Sequence, residues 1–482
     1  MFKKYEPVCR KDYDAWKRLQ DEPKQKAAAD PRRLHYHLMP DIGWLNDPNG
    51  LCQFHGLYHL YYQYDPFDAN GDLKLWAHVT TRDFIRYEEQ EPFLFPDSDL
   101  DTHGVYSGSA FVEDGRIHYF YTGNIKLFDR EDYDYIHSGR VANTIHLEST
   151  DGWHFAQKEL VMGMDDYPKD LTQHIRDPKL CKENGIYYMV QGSRDLHDHG
   201  CVQMFRSSDL HHWQPHIRIQ SDEPLGYMWE CPDLFFLNGQ KILITCPQGV
   251  PAQGDDYANV HSVTWMTLSG SLEEGLHIDH IHQLDRGFDF YAPQTFEDEQ
   301  GRRILIGWMG IPDADYTNPT VDHGWQHALT LPRELTFIDG QLCQQPLKEL
   351  EALRFNTRVF TEETLNAAQI DEECYELDMR FQECHSLHLQ LSEEMHIIFK
   401  DGTFTLDIQK AGSGRISRSL CLNTLKDLRI FSDTSSLELF LNGGSEVFTT
   451  RVYPNARRCV KLIQAEGCRD ITLHFLRAYQ IS

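Results

Sequence analysis

Five times in the first 310 residues a turn glycine leads into a run dense in Tyr, Ile, Leu, Phe or Val. The runs are HGLYHLYYQYD (55–65), DGRIHYFYTGN (114–124), NGIYYMVQGSR (184–194), NGQKILITCPQ (238–248) and QGRRILIGWMG (300–310). The glycines, Gly56, Gly115, Gly185, Gly239 and Gly301, are spaced by 59, 70, 54 and 62 residues. Each run reads as a strand behind a hairpin turn. A β unit recurring at this interval predicts a propeller of five blades, because a four-stranded blade takes roughly 40 to 50 residues and loops absorb the surplus. A second echo agrees. Thr81-Arg-Asp83, Ser149-Thr-Asp151 and Ser207-Ser-Asp209 each precede an aromatic residue, Tyr87, Trp153 and Trp213, as a shared outer hairpin would.

The segments upstream of the turn glycines carry the chemistry. Asp47 lies nine residues before Gly56, Ser107 eight before Gly115, Asp177 eight before Gly185, Glu230 nine before Gly239 and Pro293 eight before Gly301. Each segment reads as a five- or six-residue strand leading into its hairpin, and the first strand of a propeller blade lines the central channel. The near-equal offsets predict Asp47, Ser107, Asp177 and Glu230 at one level of one channel mouth. Packing does not account for three converging carboxylates, since their repulsion in a low-dielectric funnel costs several kcal/mol. A metal or a reaction does. No H-E-x-x-H, EF-hand, phosphate-loop, dinucleotide or G-x-S-x-G pattern is present, so no metal and no cofactor is expected. Glycoside hydrolysis uses such carboxylates: one ionised as nucleophile or base, one protonated as acid. Trp44, Trp76, Tyr106, Tyr291 and Trp308 are near enough in sequence to stack on a sugar, or to pack the core.

WLNDPNG (44–50), YYQYDP (61–66), YSGSA (106–110), RDP (176–178), WECPD (229–233), DFYAPQTF (289–296) and GWQHALTLPREL (324–335) together resemble glycoside hydrolase family 32, the family of invertases, β-fructofuranosidases, sucrose-6-phosphate hydrolases and fructan hydrolases. The match runs in order over residues 34–340, and GSEVFTTRVYP (444–454) resembles the family's C-terminal β-sandwich. The resemblance implies a retaining double displacement at the fructose anomeric carbon, with Asp47 as nucleophile, Glu230 as acid/base and Asp177 as the stabiliser that grips fructose hydroxyls. It makes Asn46, Gln63, Trp76, Ser107 and Arg176 fructose-binding positions and Trp44 and Tyr106 an apolar wall. Leu45, Tyr291 and Trp308 complete the candidate substrate-binding set. Two neighbouring anions are expected to raise the pKa of Glu230, and a retaining geometry puts the Asp47 and Glu230 carboxyls about 5 to 5.5 Å apart. Ala77 stands where glycine is frequent in the family, and residues 255–266 match it only loosely, which touches the outer subsites. Cys231 reads as a buried neighbour of Glu230, not a nucleophile.

Acidic residues exceed basic ones by 74 to 46, a net charge of −28, which argues against nucleic-acid and membrane partners. The start of the chain lacks the apolar run of a secretory signal, no stretch reaches membrane-spanning length, and twelve cysteines fall without paired spacing. A cytoplasmic protein with reduced thiols is expected. The predicted organisation is a helical lead-in (1–33, with a surface helix over 11–29), a propeller (34–344), a linker helix (345–354, with Leu347, Leu350 and Leu353 on one side) and a β-sandwich (355–482) that offers an oligomer contact. The favoured function is a β-fructofuranosidase acting on sucrose, sucrose 6-phosphate or short fructo-oligosaccharides. Lys74, Lys126 and Arg130 are candidates for a phosphate. A fructosyltransferase on the same fold would differ by excluding water. A non-catalytic carbohydrate-binding propeller would not need Asp47 and Glu230 together.

Overall fold

The computed structural model describes residues 7–482 and is all-β. Five antiparallel sheets follow one another along the chain. Their first strands are Gly43–Phe54, Val105–Glu113, Leu171–Glu183, Met228–Leu237 and Tyr291–Glu297. The first four sheets run strand to neighbouring strand in sequence order, and the fifth takes in the later strands Arg333–Ile338 and Gln341–Pro346. The five first strands pack side by side in that order, and the last returns to the first. Trp325–Gln326 pairs in parallel with Gly43–Trp44, hydrogen-bonding the end of this segment to its beginning. Two further sheets, of six and five strands, follow from Arg354 and enclose a separate core that includes Leu377, Leu389, Ile397, Phe404 and Leu439. These sheets are consistent with a propeller followed by a sandwich. No helix of the described residues is long and apolar enough to cross a membrane.

The local chemistry of the repeat explains the sheets. His55-Gly56, Asp114-Gly115, Asn184-Gly185 and Asn238-Gly239 all have positive φ at both positions, the two-residue turn whose twist matches an antiparallel pair. The outer turn recurs just as closely. The hydroxyl of Thr81, Ser149 or Ser207 accepts the N–H three residues on, from Phe84, Gly152 or Leu210. Asp83, Asp151 and Asp209 accept the next two N–H groups. Each side chain thus satisfies backbone donors that the strand ends would leave open.

Two expected helices differ. The lead-in is split into Arg10–Lys17 and Asp21–Ala28, because Pro23 has no N–H to give and its ring would clash with the carbonyl four residues back. The linker is a 3-10 turn, Lys348–Leu353, between the strand ending at Pro346 and the one beginning at Arg354. Leu347, Leu350 and Leu353 recur every three residues, the period of that tighter helix, and all three are buried.

A buried polar network joins the C-terminal sheets to the rest. His37 is bound by Asp433 (2.8 Å) and Glu438 (2.9 Å). Arg333 donates to Glu438 (2.6 Å), Asp285 (3.3 Å), Gln344 (2.8 Å) and Thr449 (2.6 Å).

Candidate active site

Every first strand carries a β-bulge at the same place. Three residue steps of the first strand oppose two of the second between Leu45 and Pro48, Val105 and Gly108, Arg176 and Lys179, Glu230 and Asp233, and Tyr291 and Gln294. A bulge lets consecutive side chains leave the strict alternation of a strand, which is how one inner strand can aim two neighbours at a common space. Asp177, Cys231 and Ala292 sit in it directly before a proline, with φ of 63°, 47° and 45°. Left-handed backbone at non-glycine residues costs about 1–3 kcal/mol each and is held only where surroundings over-determine it.

Asp47, Asp177, Cys231 and Ala292 each directly precede a proline, whereas Ser107 precedes Gly108. Glu230, Arg176 and Tyr291 each open the bulge of their own strand, the position that Leu45 and Val105 hold in the first two sheets.

The side chains around the three carboxylates form one connected cluster. Asp47 accepts from Ser107 Oγ at Oδ2 (2.5 Å) and from Asn46 Nδ2 at Oδ1 (2.9 Å). Gln63 joins both donors, giving its amide N–H to Ser107 (2.8 Å) and accepting from Asn46 (2.6 Å). Trp44 Nε1 donates to Asn46 (2.9 Å). Glu230 Oε1 accepts from Arg176 through Nε (3.1 Å) and Nη2. Its other oxygen accepts from Gln248 (2.8 Å) and the Tyr291 hydroxyl (2.7 Å). Asp177 Oδ2 accepts the Cys231 N–H (3.0 Å) and lies 3.9 Å from Arg176 Nε. The Cys231 sulfur completes the ring, 3.7 Å from Asp177 and 3.9 Å from Asp47.

Burial raises the pKa of Asp47, with Glu230 adding to it and the Ser107 and Asn46 hydrogen bonds opposing it. Burial pushes Asp177 up to about 7, reinforced by Glu230 and Asp47 and opposed by Arg176 and the Cys231 N–H. Burial is the main cause of that rise, and the neighbouring anions add to it. Glu230 faces the Arg176 guanidinium as well as the two anions, a cation the offset argument did not weigh. Hydrogen bonding to Cys246 and burial push the Cys231 thiol well up, so it stays protonated and lacks the thiolate a nucleophile needs.

The aromatic set divides. Trp44 and Tyr106 are half-buried. Trp44 packs against His327 (4.3 Å, nearly perpendicular) and Trp308 (5.7 Å), and Arg140 lies 5.8 Å from the centre of the Tyr106 ring. Tyr291 is bound to Glu230 as above, and Trp308 Nε1 is buried without a hydrogen-bond partner among the described residues. Leu45 and Trp76 are fully buried in the cores, so their side chains back the site instead of lining it; Trp76 holds the Tyr106 carbonyl (3.1 Å). Of the phosphate candidates, Lys74 lies 5.2 Å from the Trp44 ring centre, Lys126 is 3.9 Å from Asp72, and Arg130 is paired with Asp132. Sequence reasoning missed Gln248 and His327, which carry no local signal, and the placing of Cys231, which alignment on proline would have found. It also missed His174, which lies between the Arg176 (2.9 Å) and Arg140 (3.3 Å) guanidiniums.

One carboxylate held by uncharged donors and another gripped by a cation, an amide and a phenol are the equipment of a glycoside hydrolase. The chain belongs to glycosyl hydrolases family 32: the family's N-terminal domain matches residues 37–346 and its C-terminal domain residues 349–476. It is 36% identical over 457 residues to the sucrose-6-phosphate hydrolase of Salmonella typhimurium, covering 90% of this chain and 91% of that one. The structure of sucrose-6-phosphate hydrolase from Lactobacillus gasseri matches with a TM-score of 0.88 at 30% identity, covering 99% of each chain. A mutant Bombyx mori GH32 beta-fructofuranosidase, solved in complex with sucrose, matches at 0.80 and 27% identity, covering 97% of this chain and 99% of that one.

Proposed function

We propose that this chain is a retaining β-fructofuranosidase that cleaves the fructosyl bond of sucrose or sucrose 6-phosphate and accepts short fructo-oligosaccharides. The observation that carries the reading is the linkage of Asp47, Asp177 and Glu230, from three different sheets, through Cys231 and Arg176. Asp47 attacks the anomeric carbon of the fructosyl unit. Glu230 gives its proton to the glycosidic oxygen, and the glucosyl part leaves as the alcohol. Water then attacks the same carbon of the covalent fructosyl-enzyme and passes its proton to Glu230, and Asp47 is released as carboxylate. Asp177 holds fructose hydroxyls through the oxocarbenium-like state. The Asn46–Gln63–Ser107 network keeps the attacking oxygen of Asp47 in place, and Trp44 and Tyr106 wall the sugar.

The same proposal takes residues 34–344 as a five-bladed propeller, supported by five sheets whose inner strands adjoin in a ring, and 355–482 as a sandwich joined to it through 345–354. A cytoplasmic location belongs to the same proposal, and a phosphorylated sugar as substrate supports it, because its charge keeps it from crossing a membrane unaided.

One assay plate tests the function, with sucrose, sucrose 6-phosphate, 1-kestose and inulin as substrates and both free fructose and oligosaccharide products measured. Asp47→Asn is expected to abolish turnover, and Glu230→Gln to lose about 10²–10⁴ in rate. An Asp47→Asn enzyme that kept most of its activity on every substrate would overturn the mechanism. Oligosaccharide products in place of fructose would reassign the enzyme to transfer.

A further inference from the structure

A second cluster lies on the outer strands of the second sheet, away from the first strands that hold the carboxylates. His146 on the third strand is directly opposite Phe120 on the second and Glu159 on the fourth. His118 is diagonal to it, so these side chains share one face. The turn of the next sheet brings in His211. The His211 Nδ1 atom is 3.0 Å from Glu159 Oε2, and His146 Nδ1 is 3.5 Å from the same oxygen. One ligand atom from each of the three residues lies within 4.8 Å of the other two.

We propose that His146, Glu159 and His211 form a binding site for one zinc-class divalent transition-metal ion. Ligand atoms about 2.0–2.1 Å from a tetrahedral centre are about 3.3 Å from one another, and the two measured separations bracket that edge. The buried ring supplies a second, independent sign. His146 is 1% exposed, yet its Nδ1 has no hydrogen-bond partner among the described residues. An orphaned buried nitrogen costs free energy unless something outside the present set satisfies it. The other ring nitrogen, Nε2, is 3.1 Å from His118 Nδ1, and the ring stacks on Phe120 at 4.5 Å. If Nε2–H donates to His118, the tautomer leaves the Nδ1 lone pair facing Glu159 and His211, the outer hydrogen bond that metal-bound imidazoles commonly make. Glu159 and His211 are each 41% exposed at the side chain, which leaves the fourth position open to water.

The first sheet contains the same construction with Trp and Gln in place of His211 and Glu159. His78 is opposite Tyr61 and Gln90, and His59 lies diagonally at 3.0 Å. Trp153, in the same turn position as His211, gives its Nε1–H to Gln90 (3.1 Å). Trp and Gln in one copy, His and Glu in the other, convert a packed aromatic corner into a set of three ligands.

That sister corner supplies the test. Glu159→Gln together with His211→Trp rebuilds the first-sheet set in the second, and His211→Ala removes one exposed ligand. Zinc is titrated calorimetrically into metal-free full-length enzyme, and cobalt(II) is followed by its visible absorption. The wild type is expected to bind one ion with the strong bands of four-coordinate cobalt. Both variants are expected to lose at least about a hundredfold in affinity, the upper end of the loss seen when only a supporting residue is removed. Sucrose hydrolysis should be unchanged, which separates this site from the catalytic one. No zinc uptake by the wild type at micromolar concentration would overturn the proposal. So would equal affinity in wild type and His211→Ala.

Discussion

At the scale of single residues, the site works by giving each carboxylate different company. Asp47 is surrounded by neutral donors, and its shortest contact is the Ser107 hydroxyl. A hydrogen bond to a charged group contributes about 1.5–3 kcal/mol. Ser107→Ala is therefore expected to lower kcat roughly 10- to 100-fold and to lower the melting temperature as well, because it leaves the buried Gln63 N–H without its acceptor. Steady-state kinetics beside thermal unfolding reads both quantities. Asp47, Asp177 and Glu230 were legible from motif and offset. Their partners were not. Nothing in the local sequence says that Arg176 reaches across to Glu230 in the next sheet or that Gln248 and Tyr291 hold its other oxygen. The Arg176 and Tyr291 contacts span 54 and 61 residues and exist only once the first strands stand side by side, while Gln248 reaches Glu230 from the second strand of the same hairpin.

At the scale of elements, the bulge shared by all five first strands sets the height and direction of the reacting groups. Its geometry depends on close approach between neighbouring sheets. A Cβ built on Gly192, opposite Arg176, would lie 2.1 Å from the Trp229 carbonyl oxygen and 3.1 Å from the Glu230 Cα. Gly192→Ala must push the strand carrying Glu230 away. It is expected to cost about 1–3 kcal/mol in urea denaturation, as other forced insertions into packed sites do, and to lower kcat as well. A variant as stable and active as wild type would mean that Glu230 does not depend on this contact. The hairpins and outer turns were readable in advance, because glycine, asparagine, serine and aspartate make those turns from their own side chains and φ preferences. The bulge was not readable, since an extra residue in one strand is defined only against its partner.

At the scale of the whole molecule, the two parts are joined by buried charge. Burial alone would keep His37 neutral, but Asp433 and Glu438 outweigh it and push its pKa up to about 9. Asp433 is held down to about 2 by His37 against its own burial. His37 has a folded value above its unfolded one of about 6.5, so its contribution is complete below that pH and is lost as pH rises through 9. Asp433 contributes above its unfolded value and loses that contribution only as pH falls through 2. Stability is thus expected to decline from pH 6.5 to 9, read as the urea midpoint. His37→Gln should remove that decline and cost about 3–5 kcal/mol at pH 6, the usual effect of breaking one side of a buried pair. Sequence alone determined the repeating sheets and the family, because turns, strand patterning and motifs are properties of short stretches. The tertiary structure decided which partner each carboxyl has, and that an outer corner of one sheet gathers two histidines and a glutamate. Electrostatics and ligand geometry depend on distances between residues far apart in the chain, and folding alone sets those distances.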